Sequence, residues 1–248
     1  MSPPRVIARR LSGGYAPGAV AIEGVEFEVA AGTSVAVLGP NGGGKTTFLR
    51  ALLDDLPWRR GEVRVEGAAA YVPQTERPRL DFPIDALGVA LMGRYPRLPW
   101  YRRLGAGDRR AARAALERVG LAAQERTPFG ALSGGQRQRV LIARALTQEA
   151  EVLLLDEPLS AVDQAAAERI AALLDELRGE GRIVIVSTHD LDHARRHDRV
   201  LCLNRTQIAW GDPARTLTPD VLARTYGAEL VRLDERTGAI VVQHHRHA

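Results

Sequence analysis

A stretch of nine residues combines glycines, one lysine and two threonines at a spacing suited to phosphate binding. It reads Gly39-Pro40-Asn41-Gly42-Gly43-Gly44-Lys45-Thr46-Thr47 and fits the pattern G-x-x-x-x-G-K-[ST]. Glycines let successive backbone N–H groups turn inward toward a polyphosphate. In such a loop Lys45 would reach the β- and γ-phosphates, and the Thr46 hydroxyl would ligate Mg²⁺. Lys45 is the only lysine among 34 basic residues, which fits a site that accepts a compact ammonium but not a planar guanidinium.

The elements on either side of this loop are predicted from apolar patterns. Residues 34–38 form a short apolar, β-branched run typical of a buried strand, and residues 47–53 have the apolar spacing of a helix. A helix that starts beside the loop adds the partial positive charge of its N-terminus. A glycine-rich turn without function is the alternative, and the strand–loop–helix context disfavours it.

A second group of chemically capable residues follows the apolar run 152–155, where Asp156 and Glu157 end a predicted strand. In a phosphate-loop protein, an aspartate at such a strand end holds Mg²⁺, and the next glutamate can polarise a water in line with the γ-phosphate. An acidic strand end by itself often marks only the end of the strand. Together with the loop, the pair predicts a nucleotide-hydrolysis site.

A third group, Ser133-Gly134-Gly135-Gln136, precedes a helix predicted over residues 136–146. A serine hydroxyl, bare backbone N–H groups and a helix N-terminus together make a second anion site. A simple serine N-cap would explain Ser133 but not the two glycines.

Composition limits the class of protein. The 248 residues are 45% hydrophobic and 26% charged, as expected for one large globular domain or two small ones. The apolar runs are too short to cross a bilayer, and we expect no signal peptide. The single cysteine, Cys202, lies in an apolar run and is expected to be buried; it allows no disulfide within the chain, which fits the cytosol. A net charge of +4 gives no reason to expect nucleic-acid binding.

The order of predicted elements favours an α/β fold. From residue 152 onward strands and helices alternate, which predicts a mostly parallel sheet covered by helices. Residues 75–145, punctuated by prolines, are interpreted as an inserted helical subdomain, and residues from about 211 to 248 as a C-terminal tail. Residues 13–18 are predicted to form a loop, and 235–238 the turn of a hairpin. Further strands are predicted at 5–10, 19–29, 61–66, 69–72, 183–187, 199–203 and 207–210, and further helices at 108–119, 165–178, 191–196 and 219–226.

The third group carries a resemblance to a known family. Leu132–Gln136, about twenty residues before Asp156, resembles the signature of the ATP-binding-cassette (ABC) ATPases. The other motifs of that family occur in the expected order between residues 5 and 230. The resemblance implies one ABC ATPase domain over residues 1–248, with a P-loop NTPase core, an N-terminal antiparallel β subdomain, ATP as ligand and Mg²⁺ as cofactor.

The same resemblance assigns roles to three single residues. Without it, Tyr15 would be interpreted as an exposed aromatic, Gln74 as a polar residue at a strand end and His189 as a strand cap. It implies an adenine-stacking aromatic (Tyr15), a glutamine that senses Mg²⁺ (Gln74), a dimer-contact loop (Ser160-Ala161-Val162-Asp163) and a switch histidine at the γ-phosphate (His189). It also implies a head-to-tail homodimer, in which the signature of one subunit closes over ATP held by the phosphate loop of the other.

The resemblance further implies a transport system. Separate permease subunits would form the membrane part, a substrate-binding protein would serve it indirectly, and this chain would lie at the cytoplasmic face of the membrane. Residues 81–85, the run 90–96 and residues 100–103 with Asp108 resemble the zinc and manganese uptake branch. Siderophore and haem importers share part of this pattern, and a single-cassette ABC ATPase working outside transport stays open. His244, His245 and His247 could bind a transition metal, but without a fixed scaffold we interpret them as a solvated tail.

Overall fold

The computed structural model describes residue 3 and residues 5–16, 18–74, 83–99, 101–160, 162–227, 230–233 and 240–242. Several sequence predictions fall outside these residues. They are the aspartate and phenylalanine at positions 81 and 82, Trp100, Ala161, the hairpin turn at 235–238 and the histidines of the C-terminal tail.

The described strands are β1 (Arg5–Ala16), β2 (Ala19–Ala30), β3 (Ser34–Leu38), β4 (Trp58–Glu66), β5 (Ala69–Val72), β6 (Val152–Asp156), β7 (Ile183–Thr188), β8 (Arg199–Asn204), β9 (Thr206–Gly211), β10 (Leu230–Leu233) and β11 (Ile240–Val242). The described α-helices are α1 (Lys45–Leu52), α2 (Ala86–Leu91), α3 (Ala106–Arg118), α4 (Gly134–Thr147), α5 (Gln164–Gly179), α6 (Leu191–Ala194), α7 (Pro213–Thr216) and α8 (Pro219–Tyr226). Short 3₁₀ helices cover Met92–Arg97, Ala122–Gln124 and Phe129–Ala131.

Nine of these strands form one continuous sheet in the order β4-β1-β2-β9-β8-β3-β7-β6-β5. The half from β8 to β5 is parallel, whereas β1 pairs antiparallel with both β2 and β4. The predicted fold class is confirmed, and the antiparallel strands extend the same sheet rather than forming a separate one. Because parallel strands point the same way, the loops after β3, β5, β6 and β7 meet at one edge.

Helices pack on both faces of the parallel strands and hold these strands in place. Along β6, Leu153 and Leu155 pack with helices α2 to α5 on one face, and Val152 and Leu154 pack with α1 on the other. Each such side chain stabilises the fold by roughly 1.5–3 kcal/mol when buried. No helix in the described part of the chain is long and apolar enough to cross a bilayer.

Several local predictions differ from the structure. Residues 13–16 belong to β1 instead of a loop, because Gly14 lets the two hairpin strands approach closely: a Cβ there would lie 2.0 Å from the Ala19 carbonyl oxygen. Helix α2 and the following 3₁₀ helix went unpredicted, since prolines obscured their pattern. Helices α1, α3 and α4 each begin two residues before the predicted start, and β4 begins at residue 58 instead of 61.

Candidate nucleotide-binding and hydrolysis site

The phosphate loop joins β3 to α1, and its glycines are required for two different reasons. Gly42 and Gly44 have left-handed φ angles of 74° and 95°, which only glycine adopts without strain. Gly39 instead permits a close backbone approach, because a Cβ there would lie 2.0 Å from the Leu203 carbonyl oxygen. A Cβ on Gly44 would also lie 2.5 Å from Cγ2 of Ile22. The loop is therefore shaped by its neighbours as well as by its own sequence.

The Lys45 ammonium lies inside this loop with a set of partners that matches its three protons. It is 6% exposed and donates to the carbonyl oxygens of Gly39, at 2.9 Å, and Pro40, at 3.1 Å. Its third neighbour is Glu157, whose Oε1 lies 3.3 Å from Nζ. The phosphate loop and the acidic strand end are thus joined directly by an ion pair.

Asp156, at the end of β6, gathers hydroxyl groups from three elements. Thr46 Oγ1 donates to its Oδ2 at 2.6 Å, Tyr71 OH donates to the same oxygen at 3.1 Å, and Ser187 Oγ donates to Oδ1. Burial together with the nearby Asp156 carboxylate raises the pKa of the Tyr71 phenol. Sequence reasoning missed Tyr71 and Ser187. Both lie near strand ends beside β6, and Ser187 is the register partner of Asp156.

This cluster suits a hard divalent cation. Mg²⁺ prefers carboxylate, hydroxyl and amide oxygens, and Thr46 and Asp156 already place two such oxygens 2.6 Å apart. Gln74 adds an amide at the same edge of the sheet, since its Nε2 lies 3.1 Å from Oε2 of Glu157. The residues present therefore fit Mg²⁺.

Both the side chain and the backbone of Glu157 are held by contacts with neighbouring residues. Its side chain is 11% exposed and contacts Lys45, Gln74 and, at 3.5 Å, Nδ1 of His189. Its backbone N–H donates to Ser187 Oγ at 2.9 Å, and its φ of 43° is one that a non-glycine residue rarely adopts. A backbone conformation of this kind persists only where surrounding contacts stabilise it.

Contacts within the site shift the pKa values of Glu157 and His189. Hydrogen bonding to His189 and the nearby Lys45 ammonium hold the pKa of the Glu157 carboxyl below its usual value, although burial opposes them. The same bond to Glu157 raises the pKa of His189, again against burial. Glu157 is therefore an anion near neutral pH, as a base must be.

Tyr15 lies at the rim of the loop. Its ring is 48% exposed, its hydroxyl is 3.4 Å from Thr47 Oγ1, and the Arg50 guanidinium lies 5.5 Å from the ring centre. The half-exposed ring beside the loop is placed where a nucleobase could stack on it.

The signature residues form a separate group. Ser133 caps α4 by accepting from the Gln136 N–H at 3.2 Å, and Gln136 Oε1 accepts from the Ser133 N–H at 2.9 Å. A Cβ on Gly135 would lie 3.4 Å from Val162, so the signature packs against the predicted dimer-contact loop, whose Asp163 caps α5. Within the described part of the chain, no hydrogen bond or ion pair joins this group to the phosphate loop.

Comparison with known proteins identifies the family. Residues 22–160 match the family described as ABC transporter. The chain belongs to this family. The ABC ATPase fold also has solved relatives: a metal-chelate type ABC transporter in an inward-facing conformation is 30% identical, with a TM-score of 0.82, over 90% of this chain and 88% of that one.

Curated relatives of this ABC protein align along most of its length. The manganese transport system ATP-binding protein MntB of Halalkalibacterium halodurans is 38% identical over 90% of this chain and 92% of its own. The zinc transport system ATP-binding protein TroB of Treponema pallidum is 40% identical over 83% of this chain and 81% of its own. The resemblance seen in the sequence is thereby confirmed, and the ABC chain is an ATPase of a transport system.

Proposed function

We propose that the chain is the ATP-hydrolysing subunit of a zinc or manganese importer. One observation carries the ATPase chemistry: Lys45, the Thr46–Asp156 oxygen pair and Glu157 converge in a single site. The choice of cargo is supported by the two relatives, which are named for manganese and zinc transport. In this proposal the chain works on separate permease subunits at the cytoplasmic face, supplied by a substrate-binding protein.

In the proposed mechanism each residue has one task. Thr46, Asp156 and Gln74 would hold Mg²⁺, which when bound screens the charge of the phosphates. Glu157, which its lowered pKa keeps ionised near neutral pH, accepts a proton from the attacking water. His189, whose Nδ1 lies 3.5 Å from Oε2 of Glu157, keeps that carboxylate in place.

The ion pair of Lys45 and Glu157 suggests how binding prepares hydrolysis. In the structure the ammonium contacts two carbonyl oxygens and Glu157. Phosphate oxygens can take over the role of the carboxylate as the partner of Lys45. Glu157 is then released from Lys45 while His189 and Gln74 still hold it, and it becomes free to accept a proton.

A dimer completes the proposed site. The signature group at Ser133 and the dimer-contact group at Asp163 lie together and apart from the phosphate loop of their own chain. Two copies arranged head to tail would bring each signature over the ATP of the partner copy. The helix N-terminus at Ser133 then supplies backbone N–H groups to the phosphates.

A siderophore or haem importer is the second candidate, favoured by the 30% identity to a metal-chelate type transporter. The deciding experiment measures the elemental content of source cells under metal limitation. It compares cells without the gene, cells restored with the wild type and cells restored with Glu157→Gln. A fall in zinc or manganese that only the wild type reverses supports the proposal, and a fall in iron alone supports the second candidate. No change in any metal, in a strain without a redundant importer, contradicts both and leaves a role outside metal transport.

A further inference from the structure

The turn that joins β8 to β9, defined here as residues 203–205 and so including the end of β8, lies directly against the phosphate loop. Its Leu203 carbonyl oxygen occupies the space that a side chain on Gly39 would need, and a Cβ on Gly43 would lie 3.1 Å from the same oxygen. The Arg205 N–H donates to the Gly43 carbonyl oxygen at 2.8 Å. Backbone atoms of the turn therefore contact the loop at two glycines, so a shift of the turn must move the loop.

The turn is itself held in an unusual shape. Arg205 has a φ of 59°, in the left-handed region that non-glycine residues avoid. Its carbonyl oxygen accepts from the Glu23 N–H of β2 at 2.7 Å, and the same strand supplies Ile22, which lies against Gly44. The loop is thus clamped between β2 and the turn, and the Glu23–Arg205 bond joins the two sides.

Helix α8 holds this turn from behind. The Asn204 amide donates through Nδ2 to the Thr225 carbonyl oxygen at 3.0 Å, and Thr225 is fully buried. Leu222 and Tyr226 of the same helix pack in one cluster with Leu38, the last residue of β3, and Cys202 of β8. One helix near the C-terminus therefore contacts both the strand that enters the loop and the turn that braces it.

We propose that Asn204 and Arg205 are positioning residues for nucleotide binding, and that α8 adjusts the affinity of the phosphate loop through them. The proposal rests on the proposed role of that loop in ATP binding. Coupling between two sites is reciprocal, so nucleotide in the loop must also stabilise the turn and the end of α8. Whatever displaces α8 would then weaken nucleotide binding without touching the loop itself.

Two substitutions in the full-length protein test this. Arg205→Val keeps the N–H donor but strongly disfavours a left-handed φ, whereas Arg205→Gly also removes the guanidinium yet accepts that φ. We expect a roughly tenfold higher Kd for MgADP and KM for ATP in Arg205→Val, with Arg205→Gly close to wild type. Asn204→Asp, which has the same shape but no donor, should raise Kd about threefold.

A control separates positioning from plain loss of stability. Asp85→Ala removes the N-cap of α2, a helix that packs in a different core cluster from α8, and should lower the Tm while leaving Kd unchanged. Lys45→Ala serves as the reference for the loop. If Lys45→Ala loses nucleotide while Asn204→Asp and Arg205→Val bind normally, the inference is wrong and the proposed function stands. If Lys45→Ala also binds normally, the assigned role of the phosphate loop is wrong.

Hydrogen exchange on the wild-type protein provides a test that needs no variant. Adding MgADP should slow exchange at the Arg205 amide, which is bonded to Gly43, and at the amides of the last turn of α8. Exchange that slows only in the phosphate loop would overturn the coupling.

Discussion

Because Lys45 and Glu157 form an ion pair, the substitution Glu157→Gln should lower ATP turnover and at the same time strengthen nucleotide binding. The glutamine is nearly isosteric but cannot act as a base, so kcat for ATP hydrolysis should fall by about 10²–10⁴. Nucleotide binding should improve, because the phosphates no longer compete with a carboxylate for the ammonium. A variant that is simply misfolded would lose both turnover and nucleotide binding.

The size of the gain in binding follows from the geometry. At the observed 3.3 Å, two unit charges in surroundings of intermediate polarity attract by about 5 kcal/mol, which is an upper bound for this pair. The Gly39 and Pro40 carbonyl oxygens stay bonded to Lys45 when Glu157 is neutralised, and the nucleotide must still desolvate the site. We therefore expect a net gain of about 1.4 kcal/mol, which corresponds to a tenfold lower Kd.

MgADP is the ligand for this measurement, because ATP binding could also be strengthened by dimer closure. Titration calorimetry would give Kd for the wild type, for Glu157→Gln and for Glu151→Gln. Glu151 is the matched control: it precedes β6, at the opposite end of the strand from Glu157, and accepts from the Ala68 N–H. An unchanged Kd in Glu157→Gln would refute the competition argument, and normal ATP turnover would refute the role of Glu157 as the base.

Three further predictions follow from particular contacts. Gly39→Ala should lower the free energy of unfolding by roughly 1–3 kcal/mol in a urea titration, whereas Gly179→Ala, which meets open space, should cost nothing; equal effects would contradict the close approach to Leu203. His189→Gln should lower the Tm most at low pH, because a raised pKa gives stability that is complete below the unfolded value of 6.5 and is lost as the pH rises through the folded value. A Tm gap that stays constant or widens from about pH 6 to pH 8.5 would exclude this charge pairing. Cys202, whose pKa burial raises to about 11, should react with iodoacetamide only when the protein unfolds, and rapid labelling of the native protein would contradict its placement.

The sequence allows the main chemical groups to be predicted because they follow strand ends. Asp156 ends an apolar run, and parallel strands deliver their ends to one edge, so its meeting with Thr46 could be expected. Tyr71 and Ser187 could not, because their contacts with Asp156 depend on the register of neighbouring strands.

Long-range backbone contacts could not be predicted from the sequence either. Nothing in the pattern around Arg205 indicates that its N–H reaches a glycine more than 160 residues earlier in the chain. The helical character of Ala86–Leu91 was also missed, because a six-residue helix shows too little of the helical period before the prolines that follow. Contacts of this kind depend on tertiary packing, which local patterns do not record.

The buried ammonium of Lys45 has a spectroscopic consequence. It is 6% exposed, donates two hydrogen bonds and is paired with Glu157, so its protons should exchange with water slowly enough for the NH₃⁺ group to be observed by NMR. Since the chain has no other lysine, specific ¹⁵N labelling of lysine would give one side-chain signal, from the centre of the site. Its chemical shift would report the exchange of Glu157 for phosphate in real time, without an introduced probe.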